Sequence, residues 1–173
     1  DQRMANFKIG VIVDSFRLPP REGVKKAREV GAQGLQIYAV QGEMAPENLD
    51  ARARTEFREF VASQGLEISA LCGDLGRGFV QPNHIAEDVA KTKRMMELAA
   101  SLGVKVLTSH IGRIPEDRSA PGWRIATDAL NEIGAHGDRV GVVFASETGP
   151  EAGATLAEFL RGMNTNSIKA NYD

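Results

Sequence analysis

The sequence predicts an α/β chain, a (β/α)8 barrel truncated after its sixth strand, with all 173 residues forming a single incomplete domain. Three observations predict it. Short runs of β-branched and apolar residues alternate with longer segments of helical period. The alternation repeats down the chain, and strand–helix–strand connections imply parallel strands, because each crossover must return the chain to the same edge. Most of the short runs are continuously apolar, as strands buried on both faces are.

The elements follow in order. Residues 7–13 (FKIGVIV) form a first strand. Pro19 and Pro20 open a helix over residues 21–30, with Val24 and Ala27 inward, Glu22/Lys26 and Lys25/Glu29 paired outward, and Gly31 placed to stop it. A second strand covers 35–40 (LQIYAV). The helix over 51–64 sets Ala53, Phe57, Phe60 and Val61 on one face and ends at Gly65. A third strand covers 66–71. Asn83 reads as the N-cap of a long helix over 85–102, stopped by Gly103. The fourth strand is 104–108. A fourth helix runs over 123–139, where Gly134 and Gly137 each cost about 1 kcal/mol and are expected to break it. The fifth strand is 141–145. The fifth helix, 155–163, aligns Leu156, Phe159, Leu160 and Met163, and the sixth strand is 167–171.

Two parallel architectures compete, a closed barrel and an open doubly wound sheet. The open sheet carries a glycine-rich phosphate turn after its first strand. Here Asp14-Ser15-Phe16-Arg17 follows instead. The cluster from Gly73 to Gly78 has the wrong glycine order and reads as a mobile loop. The barrel is favoured. A whole one takes about 250 residues, and an unclosed sheet leaves two edges of unpaired backbone groups. The expectation is therefore that the chain continues past Asp173, or that a partner copy covers the edges as a homo-oligomer.

Composition narrows the function classes. With 21 basic against 23 acidic residues, a net charge of −2, nothing favours nucleic acid or an anionic membrane surface. Cys72 is the single cysteine, which rules out an internal disulfide and points to a reducing compartment. No apolar run approaches the roughly 18–20 residues that span a bilayer, and the polar start over residues 1–6 lacks the apolar segment of a signal peptide. The expected location is cytoplasmic.

A parallel barrel builds its active site where strands end. The first strand ends at Asp14 and Ser15. The second gives Tyr38 and then Glu43, the third Cys72 and Asp74, and the fourth Ser109 and His110. The fifth leads to Glu147, the sixth to Asp173. Two carboxylates and a histidine around one mouth suit a divalent cation bound mainly by oxygen. The plainer readings are a strand-end ion pair for Glu147, a frayed terminus for Asp173 and loop packing for His110. His84 and His136 read as surface residues, Cys72 as a small buried residue rather than a nucleophile, and Glu151 as a solvated loop acid.

The stretches from Ser69 to Asp74, from Thr108 to Gly112, Glu147-Thr148-Gly149 and Asn171-Tyr172-Asp173, in this order and spacing, resemble the xylose isomerase-like TIM barrel family, most of all its sugar-phosphate isomerase/epimerase branch. The resemblance implies that Glu147, after strand five, and Asp173, after strand six, bind a divalent metal ion (Mn, Mg, Co or Zn). The family's remaining ligands, a histidine after strand seven and a glutamate after strand eight, have no counterpart before the chain ends. Glu147 would also be the catalytic acid/base that moves a proton beside a carbonyl, through an enediolate. His110, Tyr38, Phe16, Cys72 and Trp123 become candidates for binding a sugar, sugar phosphate or polyol, the aromatic rings equally suited to core or lid packing.

Two other functions stand against this one. An apurinic-type endonuclease of the same fold needs clustered metals, many histidines and a basic groove, which three histidines and a charge of −2 do not supply. A non-catalytic or inactive truncated barrel is the other, kept open by the absent last two strands.

Overall fold

Strands and helices alternate throughout the computed structural model, which describes residues 7–173; the polar start over 1–6 lies outside the described residues. The order is β1 (Gly10–Ile12), α1 (Pro20–Glu29), β2 (Gly34–Tyr38), α2 (Ala51–Ser63), β3 (Glu67–Cys72), α3 (Ile85–Ser101), β4 (Val106–Ser109), α4 (Pro121–Val140), β5 (Val143–Glu147), α5 (Gly153–Arg161) and β6 (Ile168–Asn171). All six strands lie in one sheet in the sequential order β1-β2-β3-β4-β5-β6. Every pairing is parallel. Strand order never reverses, so this is an arc of a barrel and not a doubly wound sheet. No described helix is long and apolar enough to cross a membrane.

Period-two alternation divides each strand between two environments. Leu35 and Ile37 of β2, Leu71 of β3, Leu107 of β4 and Phe144 of β5 turn to one side and are 0–1% exposed. Met96, Leu98, Leu130 and Ile133 of α3 and α4 belong to the same core. Each such side chain contributes roughly 1.5–3 kcal/mol on burial. The intervening residues, Gln36, Tyr38 and Cys72 among them, face the other side, where the site forms.

Local signals set most helix ends, and the structure departs from the sequence reading at several positions. Gly31, Gly65 and Gly103 do follow their helices, each in the left-handed conformation that closes a helix at low cost. Asn83 does not cap α3; the capping position is His84, at φ 65° and with no side-chain capping bond. The first strand is shorter and more open than its apolar run implies. It lies at an edge, Ile12 is 38% exposed, and residues 13–16 wind into a 3-10 turn. His136 is buried, not on the surface: it sits between α4 and α3 with Nδ1 3.0 Å from Arg139 Nη2.

The fourth helix is unbroken from Pro121 to Val140. Its glycines are there for contact. A Cβ on Gly134 would run into Thr165. One on Gly137 would meet the Val142 carbonyl oxygen, Met96 Cε at 2.7 Å and Ser167 Cβ at 2.7 Å. Small residues thus let α4 press on the segment entering β6. Gly137→Ala, which in an open helix would stabilise by about 1 kcal/mol, should here cost about 1–3 kcal/mol. The check is a lower urea midpoint at unchanged slope; a raised midpoint would show that the contact yields.

The glycine cluster after β3 is tied down, contrary to its reading as a mobile loop. Arg77 grips Asp88 of α3 in a two-pronged ion pair, Nε to Oδ2 at 2.8 Å and Nη2 to Oδ1 at 2.6 Å. Phe79 N donates to the Ile111 carbonyl at 2.8 Å. Asp88 is 1% exposed, and the Arg77 guanidinium holds its carboxyl below the ordinary range. A depressed pKa stabilises above the ordinary value of about 3.9 and loses that contribution as pH falls through the folded value. Asp88→Asn should therefore flatten the acid limb of the stability–pH profile below about pH 4. Arg77→Ala should cost about 1–3 kcal/mol at neutral pH by stranding a buried carboxylate, measured by urea unfolding across pH.

Candidate active site at the strand ends

The parallel register lines up the carboxyl ends of the strands. Tyr38 pairs with Cys72, Cys72 with Thr108, and Thr108 with Ala145, while Glu147 pairs with Asn171. At that level opens a cleft of about 340 Å³. Five of the sequence candidates line it: Glu147, Asp173, His110, Cys72 and Tyr38.

Its centre is a chain of charged groups. His110 follows β4, with Nδ1 2.7 Å from Asp74 Oδ2 and Nε2 3.4 Å from Glu147 Oε1. Asp74 is held from behind, since its Oδ1 accepts from Gly76 N at 2.8 Å. Its hydrogen bond is the main reason the His110 pKa lies above the ordinary value, with burial opposing and the charges of Glu147, Asp74 and Asp173 adding to the rise. Glu147 closes β5. Burial raises its carboxyl pKa; His110 pulls it down, and a hydrogen bond from neighbouring Asp173, with the negative charges of Asp173 and Asp74, pushes it up again.

Asp173 is anchored through its backbone. Its N donates to Thr148 Oγ1 at 3.3 Å and its carbonyl oxygen accepts from the same hydroxyl at 3.2 Å. Thr148 N in turn donates to the Asn171 carbonyl at 3.0 Å. Two carboxylates from adjacent strands thus stand side by side, and the charge of Asp173 adds to the cost of charging Glu147. That arrangement fits a hard divalent cation, which would relieve the repulsion. The fit is to half a ligand shell, for among the described residues no three His, Cys, Asp or Glu side chains gather around one point.

The remaining walls are neutral. Burial pushes the Cys72 thiol pKa up, which keeps it protonated and a poor nucleophile. Tyr38 presents a 44% exposed ring to the cleft, while its N donates to Asp14 Oδ2 at 2.9 Å. Gln36, which sequence reasoning missed, also lines the cleft and donates from Nε2 to Thr108 Oγ1 at 3.3 Å. The signal was present as the one amide inside the apolar strand Leu-Gln-Ile. Asp74 was read only as a strand-end acid, without its role behind His110.

Two aromatic candidates are placed elsewhere. Phe16 packs against the hydrophobic core from its 3-10 turn. Trp123, in the first turn of α4, stacks edge-on against Phe159 at 5.2 Å between ring centres, with Arg118 Cζ 5.5 Å from its ring. Glu151 accepts from Ile114 N at 3.4 Å, joining two loops outside the cleft.

The family model described as xylose isomerase-like TIM barrel matches residues 24–173. None of the curated proteins matches the chain in sequence. Among solved structures, the chain is similar to a xylose isomerase domain protein from Planctomyces limnophilus, with TM-score 0.83 and 23% identity over 96% of this chain and 63% of that one. It is similar to a D-psicose 3-epimerase with D-tagatose from Clostridium cellulolyticum H10, with TM-score 0.77 and 13% identity over 96% and 63%. A xylose isomerase-like TIM barrel protein from Mycobacterium smegmatis, in complex with magnesium, gives 0.73 and 16% over 96% and 64%. These identities carry the fold alone, and the chain spans about 63% of the first of these relatives.

Proposed function

We propose that this chain, which belongs to the xylose isomerase-like TIM barrel family, carries the proton-transfer half of a divalent-metal-dependent isomerase or epimerase acting on a sugar, sugar phosphate or polyol. The observation that carries the reading is the meeting of Glu147 and Asp173 at adjacent strand ends, with His110 set between Asp74 and Glu147.

Moving a carbonyl along a sugar, or inverting the carbon beside it, starts with removal of a weakly acidic proton. Glu147 is the base for that step: it takes the proton from carbon and returns it to another carbon or to the other face. A carboxylate whose pKa is raised is a stronger base than a fully solvated one, and so better suited to take a weakly acidic proton. His110, oriented by Asp74, donates from Nε2 to a substrate oxygen or to Glu147. Gln36 and Tyr38, which line the cleft, would orient hydroxyls. Glu147 and Asp173 would hold the cation (Mn, Mg, Co or Zn) by oxygen. When bound, it supplies positive charge beside the two oxygens of the enediolate.

The test is solvent-deuterium incorporation into candidate ketoses by the full-length protein, with metal titration alongside. Glu147→Gln keeps size and one oxygen but removes the base, and should lower exchange by about 10²–10⁴-fold while weakening metal binding only in part. Asp173→Asn should act mainly on the metal, restoring exchange when more is added. A Glu147→Gln protein exchanging at the normal rate would remove Glu147 from the chemistry.

A further inference from the structure

Of the three histidines only His136 is buried, at 8% exposure between α4 and α3, and it lies apart from the residues that line the cleft. Arg139 Nη2 stands 3.0 Å from its Nδ1. A guanidinium can only donate, so Nδ1 accepts, and the ring is neutral with its proton on Nε2. Nε2 is buried and makes no hydrogen bond among the described residues. Glu97 Oε1, across the seam on α3, is 3.3 Å away but out of line. The charged groups facing the ring are Glu97 and Lys93 from α3 and Arg139 from its own helix. Lys93 is paired with Glu132, one turn earlier on α4. The same stretch of α4 holds the segment entering β6. Gly134 abuts Thr165 and Gly137 abuts Ser167, and Asp138 accepts from the Thr165 and Ser167 hydroxyls at 2.8 and 2.7 Å.

We propose that His136 is a proton-operated latch on the α3–α4 seam. Neutral, it accepts from Arg139 and the seam is closed. Protonated, it loses Arg139, and α4 loosens from α3 and from the segment entering β6. A second ring proton would sit on Nδ1 and aim an N–H at a guanidinium, which has no acceptor to offer. The bond to Arg139 must then break, leaving two cations side by side with Lys93 near them. Glu97 is the one counter-charge facing the ring, and with 53% of its side chain exposed its pull is screened by water. Burial therefore holds the His136 pKa below its ordinary value, with Glu97 opposing and Arg139 and Lys93 adding to the fall. A histidine depressed in the fold contributes its full stability above the unfolded value of about 6.5. That contribution is lost as pH drops from there toward the folded value. The strand so released is the one that leads to Asp173.

Urea unfolding of the full-length protein and of His136→Gln, across the pH range that spans the ordinary histidine value of about 6.5, tests this. Glutamine stays neutral throughout, and its amide oxygen can take the bond from Arg139. The unfolding constant of the wild type relative to the variant should rise as pH falls, by at most about tenfold per pH unit for one proton. His84 and His110 are present in both proteins and cancel. A ratio that stays flat with pH would overturn the latch. Should the variant not fold, NMR titration of the wild-type imidazoles decides: His136 should take its proton below about 6.5, and titration at or above that value overturns the latch. Amide exchange, corrected for its intrinsic pH dependence, locates the effect. Protection over residues 130–140 and 164–171 should fall in mild acid while that of β2 and β3 holds. Equal loss across the whole sheet would mean that His136 governs global stability and latches nothing.

Discussion

Parallel pairing at fixed register is what the site depends on. Because β5 and β6 pair Glu147 with Asn171, the residue two beyond Asn171 reaches the side chain that ends β5. Because β3 and β4 pair Cys72 with Thr108, the loops that leave them carry Asp74 and His110 into reach of each other at 2.7 Å. A one-residue slip in any pairing would turn a whole strand over, sending Gln36 or Cys72 into the helix-covered core and Leu35 or Leu71 into the cleft. The core therefore enforces the site: outward residues that are nearly inaccessible, such as Leu35, Leu71 and Phe144, set the phase that leaves polar residues inward.

The same cleft is where the fold accepts electrostatic cost. Glu147 is partly desolvated beside Asp173, an arrangement that raises its pKa and adds nothing to stability. Local departures from good packing and charge pairing are expected at functional positions. The surroundings offset it without removing it: His110 sits against Glu147, Asp74 holds His110, and Gly76 N holds Asp74. Arg77 and Asp88 then tie the loop that carries Asp74 to α3. Orientation kept in advance of substrate is what a proton transfer requires.

Element types and order were legible because periodicity is local. The switch between runs of 5–7 residues and helical segments marks every unit from β1 to β6, and the residue after each apolar run leads to the mouth. What was not legible depended on neighbours distant in sequence. Gly134 and Gly137 look like helix breakers until Thr165, Met96 and Ser167 are seen against them. His136 looks exposed until α3 covers it. Asn83 has the chemistry of an N-cap, but the chain turns at His84 through a left-handed conformation. Phe16 and Trp123 are aromatic residues near loops, and nothing in sequence separates a ring that meets substrate from one that meets Phe159 or the core.

Edge strands and the site are also linked. Among the described residues β1 and β6 each pair on one side only, and β6 has Ile168 as its one deeply buried apolar side chain. Opening of β6 breaks its bonds to β5 and the bonds of Thr148 to Asn171 and Asp173, while the core between α3, α4 and β2–β5 stays intact. Local opening energies are lowest where buried contacts are few. The carboxylate pair is therefore held at an edge of the sheet where few side chains are buried. A divalent cation held by Glu147 and Asp173 would stabilise the edge strand together with the site, because a ligand that binds only the ordered state favours that state.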